Sequence, residues 1–424
     1  MTTLAERWRR LRSHNLARLV GPGLITGVAD DDPSGIATYS QAGAQFGLDI
    51  LWTMPLAFPL MAAIQQVCAC IGRVTGKGLA ANIRESFPPI VLKSVVLLLL
   101  IANTLNIAAD IAAMGEVSEL VSGANRYVMG VVFAVVSMLL QIFIPYRRYV
   151  NFLKWLCLSL LAYAAVLFTV HVPWSEVVLR TFIPHIHLDE AAATVVVGVF
   201  GTTISPYLFF WQASEEVEDM RRDGGEKSLI DDPASAPAEL NRITWDTWSG
   251  MFYSDISAWF IILATAVTLH VAGVTDIQTA AQAANALRPL AGEGAYWLFA
   301  LGILGVGLIG VPVLAGSGAY AMSEAMGWKW GLEMKPREAP GFYAVIALAM
   351  LAALAIQFSP INPMKALFWS AVINGVVAVP LMVVILIIAQ RKSVMGEFTE
   401  NKLILALGWI AVAVMAVAAL RMVL

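Results

Sequence analysis

Three consecutive carboxylates followed by a proline, Asp30-Asp31-Asp32-Pro33, sit inside an otherwise apolar stretch. The stretch reads Gly21-Pro-Gly-Leu-Ile-Thr-Gly-Val-Ala-Asp-Asp-Asp-Pro33-Ser-Gly-Ile-Ala-Thr-Tyr39. A second one, Val199-Phe-Gly-Thr-Thr-Ile-Ser-Pro206-Tyr-Leu-Phe-Phe, again sets a polar residue immediately before a central proline. Proline removes a backbone donor, clashes with the preceding turn and pushes the residue before it out of helical geometry. Each stretch is therefore expected to be a helix broken at its centre, with freed carbonyls beside side-chain oxygens. The Asp32 carboxylate and the carbonyls of Ala29 and Thr202 form an all-oxygen donor set, which suits a hard cation such as magnesium, calcium or manganese.

Such a set works only if helices hold it at membrane depth, and the composition supplies them. Of 424 residues, 59% are hydrophobic and 13% charged, against about 45–50% and 25% in soluble domains. Eleven apolar spans are legible, at residues 21–46, 50–72, 91–113, 127–145, 150–170, 191–213, 245–271, 294–325, 340–358, 365–389 and 402–422. The strict alternation of a β-barrel is absent, so the expected fold is an all-α integral membrane protein. With a cytoplasmic N-terminus, 22 of the 27 Lys and Arg residues fall on the inner side, as the bias of short loops requires. The C-terminus then lies outside a bacterial-type inner membrane.

Asp32-Pro33 opens one group of five spans and Ser205-Pro206 opens the next. Five is odd, so the second group enters the membrane upside down. Paired helix breaks in an inverted repeat mark the substrate site of a secondary transporter. The organisation reads as an N-terminal segment (1–20), a first repeat (21–190), a second repeat (191–389) and a linker with an eleventh span (390–424). A polar loop, 214–243, interrupts the second repeat and reads as a solvated cytoplasmic connector. No lysine or arginine sits mid-span to neutralise the aspartates. Intramembrane carboxylates must be paired, wet or functional, and a mobile cation is the missing partner. Two other readings are a carrier of a small organic solute and a metal sensor that transports nothing.

These residues resemble the Nramp family of divalent-metal transporters over nearly the whole chain. The resemblance rests on the eleven spans, the opening Gly-Pro-Gly, the run Gln41-Ala-Gly-Ala-Gln-Phe-Gly47 and the two proline breaks. It implies the inverted five-plus-five fold shared with LeuT, with helices 1 and 6 broken and rocking against a scaffold that includes spans 3 and 8. The family's Asp-Pro-Gly-Asn stands here as Asp32-Pro33-Ser34-Gly35, and its Met-Pro-His as Ser205-Pro206-Tyr207. In the family the aspartate, asparagine and methionine, with an alanine carbonyl, bind a dehydrated transition metal. Asp32 and Ala29 match; Gly35 and Ser205 depart in the manner of the Nramp-related magnesium transporter branch. A thioether favours soft ions and offers magnesium almost nothing, and the smaller residues are expected to leave room for a partly hydrated ion. The family's proton route is altered too. Asp110-Ile-Ala-Ala113 replaces Asp-x-x-Glu, while Tyr207 and Gln212 replace two histidines. The resemblance thus implies uptake of magnesium and manganese without obligatory proton coupling; an ordinary proton-coupled manganese or iron transporter is the alternative.

Other residues are candidates for the permeation path. Asn103, Asn106 and Asp110 share one helix face by their i, i+3, i+7 spacing, and either line the outer route or bond between helices. Asp255 is expected on the inner path, Asn374 near the ion's water shell, and Asp31 facing the cavity. Tyr207 and Trp211, four apart, pack or gate. Cys68, Cys70 and Cys157 read as small membrane-core residues, and His185-Ile-His187 as a solvated loop pair. The metal ion is substrate, with no cofactor. No nucleotide-binding loop, Ser-His-Asp arrangement or basic patch points to an enzyme, nucleotide or nucleic acid; the bilayer and the ion are the expected partners. The orientation is directly testable: alkaline phosphatase fused after residue 424 is expected to be active, and fused after residue 227 inactive. The reverse pattern would invert the topology.

Overall fold

The computed structural model describes residues 22–144, 161–185, 189–222 and 227–423. The N-terminal segment, Gly21, most of span 5 with Cys157, and His187 lie outside the described residues. Among the described residues there are helices and no strand, and nine helices are long and apolar enough to cross a membrane. The other two spans are span 5 and span 1, which is broken into helices too short to cross alone.

In the first repeat, the halves of span 1 are α1 (Pro22–Asp30) and α2 (Pro33–Phe46), followed by α3 (Thr53–Thr75), the short α4 (Leu79–Ser86), α5 (Pro89–Ser122) and α6 (Arg126–Phe143). α7 (Leu161–Val166) and α8 (Trp174–Phe182) complete it. The second repeat opens with the halves of span 6, α9 (Glu190–Thr203) and α10 (Pro206–Arg222). α11 (Ala236–Thr265), α12 (Ala295–Met326), α13 (Pro340–Gln357) and α14 (Pro363–Gln390) follow, and α15 (Lys402–Val423) is appended. Each break leaves two residues outside helical geometry, Asp31-Asp32 and Ile204-Ser205, and each is closed by a proline at the first position of the next helix, where its missing N–H costs nothing.

Lipid supplies no hydrophobic force between helices, so close backbone approach carries much of the packing. Two contacts bracket the breaks. A Cβ on Gly27 of α1 would lie 2.2 Å from the Gly250 carbonyl of α11, and one on Gly201 of α9 would lie 2.5 Å from the Gly375 nitrogen of α14. α5 runs along α12, pinned by the Asn103 amide, which donates to the Leu314 carbonyl and the Ser317 hydroxyl, both at 2.8 Å.

The polar connector corrects one expectation. α10 continues to Arg222 and α11 begins at Ala236, so the coil is shorter than 214–243. Glu215, Glu216 and Glu218 are 5%, 0% and 6% exposed and not solvated. Arg242 of α11 meets Glu216 at 2.6 Å, and Glu218 accepts from the Tyr320 hydroxyl at 2.8 Å and the Leu332 N–H at 2.7 Å. An acidic run looks solvated in sequence because its partners, on α11, on α12 and just beyond it, are more than twenty residues away. The α1–α11 contact yields a direct test. Gly27→Val would force α1 off α11, and overpacking of this kind costs about 1–3 kcal/mol; the thermal unfolding midpoint in detergent is expected to fall by several degrees.

Candidate metal site

The site begins with how α1 and α2 are held apart. At its start α1 is capped from another helix: the Gly23 N–H donates to the Asp246 carboxylate of α11 at 2.7 Å. A carboxylate there satisfies an orphan donor and meets the positive end of the helix dipole. Beyond the break, Asp32 caps α2 with extended backbone, φ −73° and ψ 173°. Its Oδ1 accepts from the Gly35 N–H at 2.8 Å and from the Ser34 hydroxyl at 2.7 Å. Its Oδ2 accepts from the Asn106 amide of α5 at 2.7 Å, with the Tyr207 hydroxyl 3.5 Å away. This carboxylate is 1% exposed, yet three donors hold it in one orientation and Oδ2 retains a lone pair for another ligand.

Around Asp32 the two breaks converge. The Tyr207 hydroxyl of α10 donates to the Ala29 carbonyl of α1 at 3.2 Å, so one phenol bridges both broken spans. Gly35 faces the end of α9: a Cβ there would lie 3.2 Å from Thr202 Oγ1 and 3.3 Å from the Tyr39 ring. The space freed by the small residue is therefore already lined by the Thr202 hydroxyl and Tyr39, which corrects the expectation of a wider cavity in this arrangement. Ser205 turns back on its own helix. Its hydroxyl lies 2.9 Å from the Gly201 carbonyl and 2.7 Å from that of Thr202, donating to the orphan carbonyls at the end of α9. Gly310 of α12 went unnoticed in the sequence: a Cβ on it would come within 3.0 Å of Asp32 Cβ. It has no signal of its own in a helix that carries many glycines.

The other carboxylates spread out instead of closing a cage. The Ser254 hydroxyl of α11 lies 2.6 Å from Asp30 Oδ2 and 3.1 Å from Asp31 Oδ1. Asp30 Oδ1 and Asp31 Oδ2 are buried without a hydrogen-bond partner, as are both oxygens of Asp110 and both amide atoms of Asn374. Asp255 lies in the wall of a groove with Met54, Phe58 and Trp259. Trp211 packs edge-on to Tyr320 with ring centroids 5.8 Å apart, the packing alternative for this aromatic. His185 binds Asp49 at 2.8 Å, and Cys68 and Cys70 are buried free thiols. Among the described residues no three His, Cys, Asp or Glu side chains form a ready metal cage. What gathers around Asp32 is one carboxylate with the Ala29 carbonyl and the hydroxyls of Ser34, Thr202 and Tyr207 nearby.

Two broken helices meeting at a buried carboxylate in a multi-pass bundle give the chain a LeuT-like fold. Its structure is similar to the Eremococcus coleocola manganese transporter, with a TM-score of 0.78 at 15% identity, covering 99% of this chain and 88% of that one. It is also similar to Mhp1, a nucleobase-cation-symport-1 family transporter, with a TM-score of 0.54 at 13% identity, covering 95% of this chain and 92% of that one. The family model "Natural resistance-associated macrophage protein-like" (Nramp) matches residues 23–424; the chain belongs to the Nramp family. Sequence relatives include the divalent metal cation transporter MntH of Klebsiella pneumoniae, 27% identical over 413 residues, 96% of this chain and 93% of the relative. MntH of Acidiphilium cryptum is 24% identical over 386 residues, 89% of this chain and 83% of that one.

The cap on α1 can be tested without substrate. Asp246→Ala leaves the Gly23 N–H without its carboxylate, a loss of about 1 kcal/mol. Amide hydrogen exchange in the first turn of α1 is expected to rise about fivefold, while exchange in α5 and α12 stays unchanged.

Proposed function

We propose that this protein takes up magnesium, and with it manganese, into the cytoplasm by alternating access, without obligatory proton coupling. The observation that carries the reading is the donor set around Asp32. One carboxylate, the carbonyl of Ala29, the Thr202 oxygens and the hydroxyls of Ser205 and Tyr207 are all hard ligands, and no sulfur stands at position 205. Magnesium keeps several waters and takes one or two carboxylates from a protein, which fits a single fixed aspartate ringed by hydrogen-bonding oxygens. The Thr202 hydroxyl, in the space that a longer residue 35 would fill, supplies an oxygen close to where the family's asparagine would offer one. An ion entering the closed arrangement displaces the Tyr207 hydroxyl from the Ala29 carbonyl and so separates the two broken spans. Asn106 orients Asp32, while Asp31, Asp110 and Asn374 lend negative potential or polar contacts to the path. These departures favour the magnesium branch of the family.

The proton side supports the same reading. Gln212 does not titrate, and its amide donates to the Thr247 hydroxyl at 2.9 Å; Tyr207 and Ala113 carry no proton relay at neutral pH. Uncoupled uptake is energetically sufficient: a divalent ion gains about 4.6 kcal/mol across 100 mV, more than a thousandfold accumulation. The structurally similar Eremococcus coleocola protein is a manganese transporter, so a second reading is a proton-coupled manganese or iron transporter of the ordinary Nramp type.

Proteoliposomes carrying internal dyes for magnesium and pH distinguish the two. An inside-negative potential is expected to drive magnesium entry with no linked acidification, and Asp32→Ala to abolish it. Manganese entry accompanied by protons, with magnesium excluded, would establish the second reading instead. Ser205→Met is expected to move competition toward manganese and cadmium on the order of tenfold, because a thioether rewards softer ions.

A further inference from the structure

One buried carboxylate, next in the chain to the Ser254 that bonds Asp30 and Asp31, lies at the wall of a groove that opens sideways. Between α3, α8 and α11 the groove encloses about 380 Å³ and is walled by Met54, Phe58, Trp174, Phe252 and Trp259, with Asp255 among them. Its shape is braced: Phe58 and Phe252 meet edge-on with centroids 5.6 Å apart, and the Trp259 indole donates to Thr181 of α8 at 3.2 Å. Phe252 and Trp174 are more than half exposed on the apolar perimeter, so the groove is reached from the bilayer. Asp255 is 8% exposed and its Oδ1 is buried with no hydrogen-bond partner. Among the described residues no lysine, arginine or histidine lines the groove.

A carboxylate removed from water is costly unless a counter-charge meets it, and aromatic faces attract cations electrostatically. A bare divalent ion cannot cross the apolar wall, whereas an organic cation carrying its own apolar surface can. An acyl chain would fill the volume but leave Asp255 uncompensated. We propose that this groove is a second binding site, taking a lipophilic organic monocation from the bilayer, with Asp255 as counter-ion and the aromatic walls as its cradle. The site does not depend on which metal is transported at Asp32.

The probe is radiolabelled tetraphenylphosphonium, bound to the full chain in nanodiscs, with the isosteric anion tetraphenylborate as control for simple partitioning. Saturable binding at one site per chain is expected, with no displacement by tetraphenylborate. Asp255→Asn, equal in shape and uncharged, should weaken it about tenfold or more, the scale of one desolvated charge pair. Asp255→Glu should retain binding, and Asp32→Ala should leave it unchanged. Wild-type affinity in Asp255→Asn, or loss in Asp32→Ala with retention in Asp255→Asn, would overturn the proposal, the latter by placing the cation in the central site. If Asp255→Asn does not fold, Phe252→Leu on the exposed rim replaces it. There the expected loss is about threefold, the worth of one cation–π contact, and unchanged binding overturns the proposal.

Discussion

The Asp32 carboxylate closes a gap that lipid would not tolerate. Between Asp30 and Pro33 the backbone leaves helical geometry at membrane depth, where unpaired N–H and carbonyl groups cost several kcal/mol each. Asp32 answers for α2 by accepting the Gly35 N–H, and the Tyr207 hydroxyl answers for α1 by donating to the Ala29 carbonyl. On the second broken span, the Ser205 hydroxyl does the same for the end of α9. The groups that make the breaks tolerable are the ones that can ligate an ion. On the proposed function, an ion would compete with internal hydrogen bonds already made, which would tie occupancy to the separation of the halves.

The rest of the bundle fixes where those halves can go. α5 touches Asp32 through Asn106 and is pinned to α12 through Asn103, while Gly310 lets the backbone of α12 approach the same aspartate. One wall of the site is thus rigid and belongs to both repeats. Facing it, α1 is tied to α11 by close backbone contacts at Gly23 and Gly27, by the capping carboxylate of Asp246 and by the Ser254 hydroxyl on Asp30. A helix of nine residues held this way parts from its neighbour only by giving up the Asp246 cap, the Ser254 bond and both glycine contacts. Buried acids of α10 tether the same end of the bundle, since Glu216 and Glu218 reach Arg242, Tyr320 and the Leu332 N–H. Desolvated pairs of this kind contribute little net stability but penalise any arrangement that separates them.

The departures from the family pattern act together. On the proposed reading, a thioether, a glutamate and two histidines missing from the family pattern would lower soft-ion preference and remove titratable groups together, leaving charge and hydration to set the energetics. The membrane potential alone can drive such a carrier, since each elementary charge gains about 2.3 kcal/mol per 100 mV.

Much of this was legible in the residues. Long apolar runs determined a helical membrane protein, because backbone groups in lipid must bond within their own segment. Two prolines each preceded by a polar residue, five spans apart, determined the inverted repeat and the position of the breaks, because proline acts locally and needs no partner. Asp32 was identifiable for the same local reason. Tertiary structure decided what depends on distant partners. Only the fold shows that Asn106 holds Asp32 while Asn103, one turn earlier, bonds α12. It alone seats Thr202 against Gly35, turns Ser205 back on its helix and gives Gly310 a place beside the aspartate. The acids from Glu215 to Glu218 read as a solvated run until Arg242 and Tyr320 met them, and only the fold sets Asp255 in the wall of a groove. A side chain's type is written in the chain, but what it faces is set by contacts across tens or hundreds of residues, which spacing along one helix does not encode.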